Sequence, residues 1–146
     1  MMPTAQIATE TVLVVAPLQS RTALSGMLEG GTSPVAVLHS ADCEQGLRHL
    51  TDSRISVVIC EALLPDGNWK DLWARMASAQ ASPVLVVTSK VADEPLWAEV
   101  LNLGGYDVLA QPFDREEVAR VVRSAVRASP SSLAAGRHDP YLPPCN

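Results

Sequence analysis

An α/β fold, with an open, doubly wound, five-stranded parallel sheet and five helices, is what this sequence predicts. Three observations predict it. Five short valine-rich runs recur along the 146 residues, at 11–16, 35–39, 56–60, 84–88 and 106–109. Each is apolar throughout instead of alternating, which is the pattern of strands covered on both faces. Their starts lie 21 to 28 residues apart, room for a helix and two short loops each time. Those intervals, in turn, carry apolar residues at the 3.6-residue period of a helix.

The first interval offers Leu24, Met27 and Leu28 on one stripe, with Gly30 and Gly31 as its stop signal. After the second run, Ser40 or Asp42 supplies an N-cap for a helix with the stripe Cys43, Leu47 and Leu50. The third run leads through the turn sequence Leu64-Pro65-Asp66-Gly67 into Trp69, Leu72, Trp73 and Met76, spaced i, i+3, i+4, i+7. In the fourth interval Trp97, Val100 and Leu101 are expected to face inward, and Gly104-Gly105 stops the helix. The last helix has Asp114 as cap, Glu117 three residues on, and the stripe Val118, Val121, Val122 and Ala125. Its other face carries Arg115, Arg120, Arg123 and Arg127, the last two near the C-terminus, where positive charge suits the helix dipole.

Residues 10–128 are therefore expected to form one domain, after an N-terminal extension at 1–9. The stretch 129–146 holds four of the eleven prolines and no periodic apolar pattern, and is expected to be a flexible tail. No second domain or attached effector is read from the chain. Right-handed crossovers and the flavodoxin-like order 2-1-3-4-5 are the economical way to join five such units.

Composition removes several function classes. With 47% apolar and 18% charged residues the chain collapses rather than staying disordered. Its best apolar run, 11–18, is far short of the roughly 20 residues that span a membrane. The first six residues carry no basic side chain and no long apolar stretch, so no signal peptide is expected. A formal charge of −5 argues against a basic nucleic-acid surface. Three cysteines (Cys43, Cys60, Cys145) without C-x-x-C spacing indicate neither a disulfide framework nor a zinc site. A cytoplasmic setting is the expectation.

In such sheets the functional crevice lies at the carboxyl ends of the strands, beside the switch between the first and third. The residues delivered there are Ala16-Pro17-Leu18, Glu61, Thr88-Ser89 and Gln111-Pro112. The first turn has no glycine and Pro17 removes a backbone donor, so a phosphate cradle is not expected. No G-x-S-x-G elbow exists, and His39, His49 and His138 fall at a strand end, in a helix and in the tail. What remains is one carboxylate, Glu61, then the Leu-Pro-Asp-Gly turn, the hydroxyl of Thr88, and the segment from Gly104 to Asp114 containing Gln111-Pro112-Phe113-Asp114.

These segments, in this order and spacing over about residues 10–128, resemble the receiver domain of two-component response regulators. The resemblance places the family's phosphoacceptor position on Glu61 and its hydroxyl position on Thr88. The two acidic residues that end the first strand and help hold Mg²⁺ are replaced by Ala16 and Pro17. Gln111 replaces the lysine before the last proline, and Val108 stands at the aromatic switch position. The resemblance also implies a cis peptide between Gln111 and Pro112.

A cation such as Mg²⁺ needs oxygen ligands, and alanine and proline side chains have none. Glutamate carries its carboxylate one methylene farther out, and a misplacement of about 1 Å can cost 10²-fold in such chemistry. The chain is thus expected to have lost Mg²⁺ binding and to hold no other metal or cofactor. It reads as a degenerate pseudo-receiver, not an enzyme, in which Thr88 and Gln111 donate hydrogen bonds to Glu61. Its partner is expected to be a protein, a histidine kinase or an output protein, with a homodimer also open. The face expected to meet it joins Leu96, Leu103 and Val108 to Arg115 and Arg123, although packing of Leu103 under its neighbouring helix is equally compatible. Two other readings stay open: phosphate acceptance at Glu61 or Asp66, and small-molecule sensing in the emptied pocket.

Overall fold

The computed structural model describes residues 10–29, 35–78 and 83–129. The expected extension at 1–9, the Gly30-Gly31 stop and nearly all of the expected tail lie outside the described residues. In chain order the elements are β1 (Glu10–Val15), α1 (Leu18–Glu29), β2 (Val35–Ser40), α2 (Cys43–Asp52), β3 (Val57–Glu61), β4 (Leu63–Leu64), β5 (Gly67–Asn68), α3 (Trp69–Ser78), β6 (Val84–Ser89), α4 (Glu94–Asn102), β7 (Asp107–Ala110) and α5 (Arg115–Ala128). Five strands form one parallel sheet in the order β2-β1-β3-β6-β7. This is the expected doubly wound order, with the short antiparallel pair β4–β5 added where the Leu-Pro-Asp-Gly turn was expected.

The strands are apolar throughout because successive residues feed two different cores. Leu13, Val15, Val58, Cys60, Leu85, Val87 and Val108 pack with Cys43, Leu72, Met76 and Val100 from α2, α3 and α4. Val12, Val14, Val57, Ile59, Val86 and Leu109 pack with Leu24, Leu28, Val118, Val121, Val122 and Ala125 from α1 and α5. Asp42, not Ser40, caps α2, its side chain accepting from the Gln45 N–H; Asp114 caps α5 by accepting from Glu117.

Three expectations are corrected here. Helix α4 is rotated: Leu96 and Val100, one turn apart, face the core, whereas Trp97 and Leu101 are 47% and 39% exposed. At the end of the helix Gly105 packs closely on Val100: its N–H bonds the Val100 carbonyl at 2.8 Å and a Cβ there would lie 2.5 Å from Val100 Cγ1. Val108 is 5% exposed, because its side of β7 is the one α4 covers, so it cannot form an outer docking face, and Leu96 is partly buried against the core. Ser129, assigned to the tail, is instead the buried C-cap of α5, its N–H bonded to the Val126 carbonyl.

Candidate functional site

The parallel sheet brings the carboxyl ends of β1, β3, β6 and β7 to one edge. Glu61, the last residue of β3, stands in register with Thr88 of β6. Gln111 follows β7 and is held there by its N–H to the Ser89 carbonyl, 3.0 Å. The Gln111–Pro112 peptide is cis, as the sequence resemblance implied. Ala16 is fully buried beyond β1, its N–H on the Ser40 carbonyl, and Pro17 is exposed beside it.

At the centre, Gln111 Nε2 donates to Glu61 Oε1 and Oε2 at 2.9 and 3.0 Å, and to Thr88 Oγ1 at 3.2 Å. The amide must present its NH₂ group, because a carboxylate only accepts. Glu61 Oε1 also takes a longer bond, 3.4 Å, from Ser20 Oγ. The half-buried carboxylate is therefore met by neutral donors. The Thr88 expectation is corrected in one respect: its hydroxyl accepts from Gln111 and makes no bond to Glu61.

A cleft of about 540 Å³ opens over this pair, lined by Pro17, Gln19, Ser20, Ala23, Glu61, Lys90, Gln111, Pro112 and Phe113. Two of these were missed for identifiable reasons. Ser20 lies one turn before Leu24 and two before Leu28, so the same stripe that buries those leucines turns it inward. Lys90 directly follows β6, which suffices to bring it to the crevice. Although Gln111 stands where the resemblance expects the family's lysine, Lys90 brings an ammonium group to this cleft, exposed and without a hydrogen bond or ion pair to Glu61.

Asp66 lies elsewhere. Its Oδ1 accepts from the Cys43 N–H at 2.9 Å and its Oδ2 from the Glu44 N–H at 3.2 Å. It ties the β4–β5 turn to the N-terminus of α2, a longer-range role than shaping its own turn, and does not line the cleft. The Cys43 N–H, with Glu44 adding to it, holds the Asp66 carboxyl below its ordinary value. Burial pushes the Cys43 thiol up to about 11, and Asp66 adds to that. Pro65 is exposed in the same turn, and Gly67 has φ +154°, where a Cβ would lie 2.6 Å from Asp71 Oδ2.

Of the expected partner face, Leu103 is 47% exposed and Arg115 and Arg123 are exposed. With Trp97 and Leu101, Leu103 leaves apolar surface exposed on and just after α4, while the two arginines are exposed on α5, which packs on the other face of the sheet. Leu103 also anchors α3, its carbonyl accepting from Trp73 Nε1 at 2.6 Å.

Residues 17–123 match the model of the response regulator receiver domain family. The chain belongs to that family. This receiver domain is 29% identical over 91 residues to the uncharacterized transcriptional regulatory protein YcbL of Bacillus subtilis, covering 62% of this chain and 40% of that protein. It is 26% identical over 89 residues to the response regulator ArlR of Staphylococcus aureus, covering 61% and 40% respectively. The chain thus matches about 40% of the length of these curated relatives. Among solved structures, it resembles the signal receiver domain of an HD domain-containing protein from Pseudomonas fluorescens, with a TM-score of 0.71 and 26% identity over 82% of this chain and 95% of that one. A response regulator from Thermotoga maritima, 19% identical, shares the fold with a TM-score of 0.72, covering 81% and 98%. Among the described residues no helix is long and apolar enough to cross a membrane.

Proposed function

We propose that this receiver domain works without phosphorylation, as a protein-interaction module of two-component signalling whose Glu61 is a fixed negative charge. The observation that carries this reading is the Gln111 amide on both Glu61 oxygens. A receiver that accepts phosphate needs its acceptor oxygen free and a cation to neutralise the moving phosphoryl oxygens. Here the acceptor position is clamped. The residues present also do not fit Mg²⁺: Ala16 and Pro17 have no side-chain oxygen, and Glu61 is already hydrogen-bonded through both of its own.

The domain accordingly catalyses no step itself. Its partner is a histidine kinase or an output protein in a cytoplasmic setting, met through the exposed Trp97, Leu101 and Leu103 and rimmed by Arg115 and Arg123. A second copy of the chain on the same face is the form that light scattering after gel filtration tests directly.

Incubation with acetyl phosphate and Mg²⁺, followed by intact-mass measurement, tests the central claim. The unmodified mass is expected; a stable phosphate adduct on Glu61 or Asp66 overturns the reading. One observation favours a second use of the site. The cleft falls within the roughly 300–1,000 Å³ of small-molecule pockets and has apolar walls in Pro17, Ala23, Pro112 and Phe113. Ligand-dependent melting shifts in a metabolite screen address it.

A further inference from the structure

Among the described residues, three buried side-chain polar atoms make no hydrogen bond: Arg21 Nε, His39 Nδ1 and Ser40 Oγ. Such orphans are uncommon, and each costs desolvation energy. Two of the three belong to residues that line one cleft of about 400 Å³, away from Glu61, formed by Leu18, Arg21, Thr22, Ser25, Gly26, Glu29 and His39.

Topology places the two orphans at the same level. Helix α1 runs back from the carboxyl edge of the sheet, with Arg21 in its first turn, and His39 is the second-last residue of edge strand β2. His39 continues the side of β2 that carries Val35 and Val37, the side α1 covers. The hydroxyl residues Thr22 and Ser25 stand beside them. The acidic residue of the cleft, Glu29, is two turns farther down α1, about 12 Å along the axis from Arg21. No ion pair engages Arg21 among the described residues. One end of the cleft therefore gathers a guanidinium, an imidazole and two hydroxyls with no carboxylate beside them.

We propose that this cleft between α1 and β2 is an oxyanion-binding site, taking the carboxylate or phosphate head of a small molecule. A guanidinium presents a planar fork of donors that matches either head, and the hydroxyls and imidazole complete the shell. The site is independent of the Glu61 crevice and of its proposed role.

Isothermal titration of the full chain with inorganic phosphate, and separately with malonate, tests it and separates the two head groups. Saturable one-to-one binding of at least one anion is expected. Arg21→Gln is expected to weaken it about tenfold or more, the effect of removing a charged hydrogen-bond donor. Thr22→Glu, at an exposed position that leaves the core untouched, is expected to do the same by placing a carboxylate at the mouth. Arg48→Gln, which removes a surface cation of α2, is expected to leave binding unchanged. Heat that does not saturate with either anion, or binding that survives Thr22→Glu, overturns the proposal, and the Thr22 variant decides even if Arg21→Gln does not fold.

Discussion

Gln111 grips Glu61 through both carboxylate oxygens, at 2.9 and 3.0 Å, across 50 residues of sequence. The bond joins the ends of β3 and β7, which are separated in the sheet by β6. It thereby fixes the loop after β7 relative to the centre of the fold.

This clamp is measurable as a coupling energy. In a double-mutant cycle by urea denaturation, Gln111→Ala and Glu61→Ala are expected to couple by about 1.5–3 kcal/mol, the range of a hydrogen bond to a charged group. Additive effects of the two substitutions rule the clamp out.

Shortening the acceptor does not recreate a phosphorylation site. Glu61→Asp corrects the methylene, but Ala16 and Pro17 still supply no oxygen for a cation. Intact mass after acetyl phosphate and Mg²⁺ is expected to show no adduct on this variant. A stoichiometric adduct shows that the missing carboxylates do not matter.

Asp66 gives the acid side of the stability profile. Its folded value is depressed by the Cys43 and Glu44 N–H groups, so the folded protein binds fewer protons there than the unfolded chain. Its contribution is present above the unfolded value of about 3.9 and is lost as pH falls through the lower folded value. Asp66→Asn is expected to show a lower melting temperature at pH 7 and a shallower decline below about pH 4 than the parent. Parallel melting curves down to acid pH contradict the tie between Asp66 and α2.

The rotation of α4 separates two neighbouring residues. Leu96 packs on the core, so Leu96→Ala is expected to cost roughly 1–3 kcal/mol in chemical denaturation. Trp97, 47% exposed, is expected to stay within about 0.5 kcal/mol when changed to Ala. If the face around Trp97 docks a partner or a second copy, the same substitution instead weakens association, which light scattering or Trp fluorescence reads.

The layout of this receiver domain was legible where one local rule decided each element. The cap at Asp114, the α5 stripe and all five sheet strands follow from residue type and period, with strand ends shifted by about one residue, while residue type narrows the α2 cap to Ser40 or Asp42 and the structure shows Asp42. The position of Glu61 at the crevice followed from the fold class. Helix α4 was not legible, because Leu96, Trp97, Val100 and Leu101 fill two adjacent apolar rows and period alone cannot rank them. Ser20 and Lys90 follow from the same rules as Thr88, but they sit in a helix and one residue past a strand, not at the strand ends themselves.

By itself the sequence determined the sheet, its order and the loss of side-chain oxygens at Ala16 and Pro17, because these depend on residue identity and spacing along the chain. Only the tertiary structure decided which row of α4 faces inward, that Asp66 reaches α2, and that Gln111 rather than Thr88 meets Glu61. Those outcomes depend on distances between segments far apart in sequence. Such distances are set by close packing, as at Gly105 against Val100, and no local pattern encodes them.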